Sequence, residues 1–299
     1  MLKFIATYFR QSPVMYFAKY HALGNDYLVV EADTMSHPLT PATIRRICHR
    51  HFGIGSDGIL VRGVDDPQGR ITLRIFNPDG SEAEKSGNGL RIFARYLWDT
   101  GVVQATPFPV LTQGGLVTCQ VLAQGQSVTV EMGHVSFTST DIPVLGSPRE
   151  VLQETLLVNG QVVEYSAATL GNPHCIILRD PVSEAETRSL GPLIETHAQF
   201  PQRTNVQFMA VLDRSNIRLT IWERGAGYTL ASGSSSCAAA AVAYRLGLCE
   251  AVIAVHMPGG QLTVELSDQF AARLTGPVVK VGEGVITPKA LVDVPEEEP

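Results

Sequence analysis

The sequence predicts an α/β fold of the α+β kind, built as two similar halves, each with a curved sheet of short strands around one apolar helix. Three observations predict it. The chain states one pattern twice: Ile71–Phe76 reads I-T-L-R-I-F and Ile217–Trp222 reads I-R-L-T-I-W, and ten residues after each closing aromatic comes Ser86-Gly87 or Ser232-Gly233. Leu23-Gly24-Asn25 and Leu170-Gly171-Asn172 also correspond, at an offset of 147 residues against 146 for the strand and the Ser-Gly pair. Each half carries one strongly apolar helical run directly behind its Ser-Gly pair. Strands seldom alternate with helices, which argues against a parallel doubly wound sheet.

In the first half, Phe17–Tyr20, Tyr27–Glu31 and Ile59–Arg62 are short strand-like runs punctuated by Gly, Asn and Asp. Thr40–His51 carries helical spacing behind a proline. Ile71–Phe76 alternates as a strand does. Gly87–Trp98 predicts a helix with Leu90, Phe93, Ala94 and Leu97 as its apolar stripe. Val110–Met132 reads as a strand meander. In the second half Val162–Ala167, Cys175–Leu178, Val206–Leu212 and Ile217–Trp222 predict strands, with a helix over Glu184–Glu195. Ser234–Leu246 is an alanine-rich helix. Val252–His256, Gln261–Leu266 and Phe270–Leu274 alternate around a Met257-Pro258-Gly259-Gly260 turn, and the acidic, proline-flanked end from Val294 to Pro299 is expected to fray. The seam between halves is expected near residues 132–136.

A chain of 299 residues has room for two domains with separate cores. With 44% hydrophobic and 17% charged residues it has the composition of a compact soluble protein, and a net charge of −6 offers no footprint for nucleic acid. No stretch approaches the roughly 18 apolar residues of a membrane span. Met1–Val14 lacks the apolar core and cleavage pattern of a signal peptide. The five cysteines are odd in number and lack C-x-x-C spacing, so reduced thiols in the cytosol are expected rather than disulfides or zinc. No His/Asp/Glu cluster has metal-ligand spacing.

Ser86-Gly87-Asn88-Gly89 and Ser232-Gly233-Ser234-Ser235 are the informative segments. A glycine-rich helix start exposes unpaired backbone N–H groups and the positive end of the dipole, and so binds an anion without a cationic side chain. Serine is also an ordinary N-cap. Two such starts at corresponding positions favour the anion reading, with one bound molecule between facing halves. Neither has the P-loop lysine or the G-x-G-x-x-G of a dinucleotide fold, so a small carboxylate is expected, not a nucleotide. Asn25, Asn77, Asn172 and Asn205 lie near glycines or prolines, where turn-making competes with a binding role. Glu223-Arg224, at the end of an apolar strand before Gly225-Ala226-Gly227, reads as a ligand-binding pair or a surface ion pair. His174 reads equally as a core imidazole or a catalytic one.

Together, Ala22–Tyr27, Gly53–Gly58, Phe76–Ser81, Gly171–Cys175, Thr204–Val206 and Trp222–Gly227 resemble diaminopimelate epimerase, a pyridoxal-independent epimerase family, from Phe17 to about Leu291. The resemblance implies two pseudo-symmetric α/β domains of mainly antiparallel strands, each around a central helix: residues 15–132 with 278–295, and 133–277, with 1–14 as an extension. It implies no cofactor, and an amino-acid substrate held by Asn25, Asn77, Gly87, Asn88, Asn172, Asn205, Glu223, Arg224, Gly233 and Ser234. His174 and Glu223 would support proton transfer. A homodimer is left open. Where many relatives have Gln this chain has Gly58, and where the family has two catalytic cysteines it has Ser86 and Ser232. A thiol of pKa about 8.5 is readily lowered at a helix start, whereas a hydroxyl begins several units higher and needs a neighbouring base, such as Lys85 or His174. The readings left open are an epimerase using serines, a diverged isomerase or dehydratase acting on another carboxylate, and a catalytically impaired or purely binding form.

Overall fold

The structure, a computed structural model, describes residues 15–35 and 38–292; the expected extension 1–14 and frayed end 294–299 lie outside the described residues. The chain divides into two compact units. One holds the residues up to Gln126 together with those from Val278 on, and the other is Ser127–Pro277.

In the first unit, β1 (Met15–Ala22) and β2 (Asn25–Glu31) form a hairpin. Leu23 and Gly24 turn it with φ of 56° and 90°, the positive angles that a two-residue hairpin turn demands. Helix α1 (Pro41–Cys48) starts with the Thr40 hydroxyl accepting from Thr43 N–H. It ends earlier than the predicted His51, because the chain folds back and the N–H groups of Ile54 and Gly55 reach the Ile47 carbonyl. Then come β3 (Ile59–Arg62), parallel to β2, and β4 (Ile71–Phe76), antiparallel to β3, with the short β5 (Glu82–Ala83) against it. Helix α2 (Gly87–Asp99) is followed by β6 (Phe108–Thr112), parallel to β4, and β7 (Gly115–Leu122), antiparallel to β6.

The second unit contains β8 (Ser127–His134), β9 (Glu154–Val158), β10 (Gln161–Thr169), β11 (Pro173–Leu178), α3 (Glu184–Glu195), β12 (Asn205–Asp213), β13 (Asn216–Glu223), β14 (Gly227–Thr229), α4 (Gly233–Arg245), β15 (Val252–Met257), β16 (Gly260–Leu266) and β17 (Ala271–Pro277). Its pairings repeat those of the first. β11 is parallel to β12 and β13 to β15, while the remaining neighbours are antiparallel. The chain then returns to the first unit as β18 (Val279–Ile286), which pairs with β1, and a short helix α5 (Pro288–Val292).

Each unit is organised around one helix. Helix α2 packs against β1, β2 and β7; its buried apolar side chains are Leu90, Ile92, Phe93, Ala94 and Leu97, the predicted stripe with Ile92 added. Helix α4 packs against β10, β11, β12, β16 and β17, and every residue from Ser235 to Ala243 is buried. Five alanines there keep the helix slim, so strands approach from several sides, and a helix apolar on all faces is a buried helix.

The seam differs from the expected 132–136. Strand β8 pairs along its whole length with β17, from Ser127 opposite Pro277 to His134 opposite Ala271, so residues 127–132 belong to the second unit. Alternating Val128, Val130 and Met132 look like a continuation of the meander, because an apolar period of two does not say which strand it will pair with.

Candidate functional site

The two Ser-Gly segments occupy equivalent places, one at the start of α2 and one at the start of α4. Ser86 is the N-cap of α2, with extended backbone angles (φ −141°, ψ 118°). Its Oγ accepts from Gly89 N–H at 3.0 Å, and its carbonyl accepts from Leu90 N–H at 2.8 Å. Helix geometry leaves the N–H groups of Gly87 and Asn88 without intrahelical carbonyls and pointing out of the helix end. Gly89 is closely surrounded: a Cβ there would meet Leu60 Cδ2 at 3.1 Å and Ser86 Oγ at 3.3 Å, and those side chains would have to give by a few tenths of an ångström.

Behind this start lies a charged network. Asn88 Nδ2 donates to Asn25 Oδ1 at 3.0 Å, and Asn25 Nδ2 donates to Asp57 Oδ2 at 3.0 Å. Asp57 pairs with Arg50 at 2.7 Å, Arg50 with Asp26 at 2.9 Å, and Asp26 with Lys19 at 2.8 Å. Burial raises the Asp26 pKa, but hydrogen bonds and charge from Arg50 and Lys19 outweigh it and hold the carboxyl below its ordinary value. One turn into the helix, fully buried Arg91 donates to Asn88 Oδ1 and, at 3.3 Å, to the Gly87 carbonyl. The guanidinium is therefore held against the first turn of α2, at the Gly87 carbonyl and the Asn88 side chain.

Asn77 has its Nδ2 spent on Ser81 Oγ at 3.0 Å, within a turn that its backbone closes at both ends. Among the described residues no hydrogen bond ties it to Asn25 or Asn88. Gly58 has no space for a side chain: a Cβ would lie 2.4 Å from the Phe76 carbonyl oxygen and 2.6 Å from Cε1 of Tyr27.

Ser232 caps α4 with nearly the same backbone angles (φ −142°, ψ 128°), but its hydroxyl makes no capping bond. Its carbonyl accepts twice, from Ser236 N–H at 3.1 Å and Ser236 Oγ at 2.7 Å. Here the groups hydrogen-bonded around the helix start are neutral, and the nearby cation is Arg224. Asn172 Nδ2 donates to Ser234 Oγ at 3.4 Å, and Asn172 Oδ1 accepts from His174 Nε2 at 3.1 Å. Gln207 Nε2 donates to Ser235 Oγ at 3.0 Å. Desolvation pushes the pKa of fully buried His174 down to about 3; nearby Arg224 lowers it further and the Gln207 amide opposes. At neutral pH this imidazole is uncharged, and its visible task is to orient the Asn172 amide.

The Glu223-Arg224 pair leaves the end of β13. Asn205, opposite His174 in the parallel register of β11 and β12, accepts from Arg224 N–H at 3.0 Å and donates to the Pro173 carbonyl at 2.9 Å. Arg224 Nη1 donates to the Gln202 carbonyl at 3.0 Å. The second unit thus brings Asn172, His174 and Ser234 into one connected set, and Asn205 and Arg224 into another.

Sequence reasoning missed Asp57, Arg91 and Gln207. Arg91 had one available signal: a cation five residues past the capping serine, inside an otherwise apolar helical run. All five cysteines are buried, and Cys237, five residues past Ser232, lies fully inside α4. Among the described residues no group of three or more His, Cys, Asp or Glu side chains could hold a metal ion, and no helix is long and apolar enough to cross a membrane.

The family model described as Diaminopimelate epimerase matches residues 17–138 and 166–281. The chain is 56% identical over 273 residues to Diaminopimelate epimerase 2 of Nostoc sp., an alignment spanning 91% of this chain and 96% of that protein. It is 40% identical over 275 residues to Diaminopimelate epimerase of Moorella thermoacetica, spanning 90% and 98% respectively. Among solved structures, a hydroxyproline epimerase from Agrobacterium vitis matches with a TM-score of 0.67 at 15% identity, covering 96% of this chain and 97% of that one. At such low identity the likeness speaks for the fold alone.

Proposed function

This chain belongs to the diaminopimelate epimerase family, and we propose that it is a cofactor-independent isomerase that inverts an amino-acid α-carbon, with diaminopimelate as its substrate. That reaction would place it in the synthesis of lysine and cell-wall precursors, in the cytosol. The observation that carries the reading is the pair of serine-capped, glycine-rich helix starts at matched positions of a duplicated fold. Backbone N–H groups of Gly87, Asn88, Gly233 and Ser234 would bind the α-carboxylate and stabilise the charge that develops on it as the α-proton leaves. Ser86 and Ser232 would be the two proton carriers: one, its hydroxyl proton first taken by a neighbouring base such as Lys85, would remove the α-proton, and the other would give its own hydroxyl proton to the opposite face. Asn25, Asn77, Asn172, Asn205, Glu223 and Arg224 would hold the remaining polar groups. His174 would act as a neutral hydrogen-bond donor to Asn172 rather than as a proton store, in keeping with its depressed pKa.

The deciding experiment incubates the protein with LL- and meso-diaminopimelate in deuterated water and follows the α-proton signal by NMR. Exchange with inversion supports the epimerase. Exchange without inversion leaves only one working base. Saturable binding with neither would sink the catalytic assignment and leave a carboxylate-binding protein.

Gly58 favours a second reading. The space beside its Cα is taken by the Tyr27 ring and the Phe76 carbonyl, so the contact that relatives make with Gln at this place is missing. A related carboxylate with a different side chain, processed through the same carbanion, suits that change. A panel of other L-amino acids in the same exchange assay separates the two readings.

A further inference from the structure

We propose that Glu195, at the last turn of α3, is a positioning residue that fixes the turn carrying Glu223 and Arg224; the inference rests on the role just assigned to that pair. Glu195 is 4% exposed, and three groups converge on its carboxylate. Oε1 accepts from Gly225 N–H at 2.9 Å, Oε2 accepts from the Trp222 indole N–H at 2.7 Å, and Arg203 donates to Oε1 as an ion pair. The donors at Trp222 and Gly225 lie on either side of Glu223-Arg224, so one carboxylate grips the segment at both ends.

The surroundings are built to allow this grip. Gly191, one turn before Glu195, lets the indole lie against α3: a Cβ there would come within 2.7 Å of Trp222 Cβ and Cγ. Gly225 holds φ of +79°, a left-handed angle that suits glycine, where the chain turns past the carboxylate. The neighbouring amides are also engaged, Arg224 N–H with Asn205 Oδ1 at 3.0 Å and Ala226 N–H with the Glu223 carbonyl at 3.1 Å. A turn with three successive N–H groups committed presents its two charged side chains from a fixed backbone. A buried carboxylate that receives only N–H donors is expensive to install. Arg203 alone accounts for neutralising it, but not for the two neutral donors aimed from the turn.

Glu195→Gln tests this at almost constant volume. An amide offers one oxygen to two N–H donors, so its own NH2 must face either Gly225 N–H or the indole N–H. Adding Trp222→Phe removes one donor and lets the Gln oxygen serve Gly225, which should restore the turn; Trp222→Phe alone is the control. The readouts are amide hydrogen exchange over residues 223–227, with the α4 core as internal reference, and kcat and KM for α-proton exchange of diaminopimelate. Glu195→Gln should speed exchange of the turn at least tenfold with α4 unchanged, and raise KM about tenfold while kcat moves less than threefold. The double variant should recover most of both. Unchanged turn exchange in Glu195→Gln overturns the proposal, as does a loosened turn with unchanged KM. If the wild-type protein neither exchanges nor binds diaminopimelate, the functional reading fails separately, and the hydrogen exchange of the turn then decides the role of Glu195.

Discussion

Helices α2 and α4 begin with serine caps of matching backbone angles, yet the chemistry behind the two starts is opposite in kind. Behind Ser86 the structure places ions: Arg91, Asp57, Arg50, Asp26 and Lys19, joined to the helix start through Asn88 and Asn25. Behind Ser232 it places amides, hydroxyls and an uncharged imidazole: Asn172, Ser234, His174, Gln207 and Ser235. Five residues past each serine the contrast is sharpest, where α2 buries a guanidinium at Arg91 and α4 a thiol at Cys237. The serines differ too. The Ser86 hydroxyl is committed to Gly89 N–H, while that of Ser232 makes no capping bond. Duplication preserves what the backbone does, namely the exposed amides of a helix start. What lies behind was free to diverge: α2 carries the buried Arg91 guanidinium one turn in, whereas in the second half the nearby cation is Arg224, from the turn after β13.

The largest expected effect tests whether both serines limit the reaction. Converting Ser86 and Ser232 together to Cys should raise α-proton exchange by about a hundredfold or more, since a thiol at a helix start ionises far more readily than a hydroxyl. If exchange does not rise in the double variant, missing thiols are not the limitation. If one single substitution yields nearly all the gain, the halves have unequal shares in the chemistry.

Acid should separate the halves next. An unfolded histidine takes up a proton below about pH 6.5, but folded His174 does so only near 3. As pH falls the unfolded state therefore binds the proton first. The stability from keeping His174 neutral is complete above 6.5 and shrinks below it, by about 1.4 kcal/mol per pH unit. Asp26 has the same sign in a lower window: its folded pKa lies below the ordinary carboxylate value of about 3.8, so its contribution is present above that value and lost as pH falls further. Urea unfolding between pH 7 and 3 should show both segments. His174→Gln should flatten the upper one and Asp26→Asn only the lower; a His174→Gln curve parallel to wild type refutes the burial account.

Two smaller effects sharpen the comparison. Arg91→Met should weaken binding of a small carboxylate about tenfold, the worth of one charge-assisted interaction, as read by calorimetry. No change would mean that the buried cation serves packing alone. Ser86→Ala should cost about 1 kcal/mol through loss of its cap and Ser232→Ala under about 0.5, measured by urea unfolding. Equal costs would contradict the asymmetry seen in the caps.

Much of the fold was legible because local rules announce it. The helical run from Thr40 behind a proline, the Ser-Gly helix starts and the alternating strands of the second half each follow from a few adjacent residues. The polar supports were not legible in the same way. Asn88 meets Asn25 across 63 positions, Asn25 meets Asp57 across 32, and Glu195 meets Gly225 across 30. Arg91 sits in a helical pattern whose neighbours are apolar, so spacing alone assigns it a solvent face, whereas the fold surrounds it with protein. Strand β8 failed for a related reason, since alternation sets which residues face inward and says nothing about the partner strand.

What the chain carries on its face, then, is a repeated unit and two amide-bearing helix starts with a hydroxyl on each, since turn angles, caps and apolar periods are properties of short segments. Tertiary structure alone decided that one start rests on a buried cation and the other on neutral amides, and that Glu195 closes around the Trp222–Gly225 turn. Hydrogen bonds and desolvation depend on distance through space, and that distance exists only once strands far apart in sequence have paired.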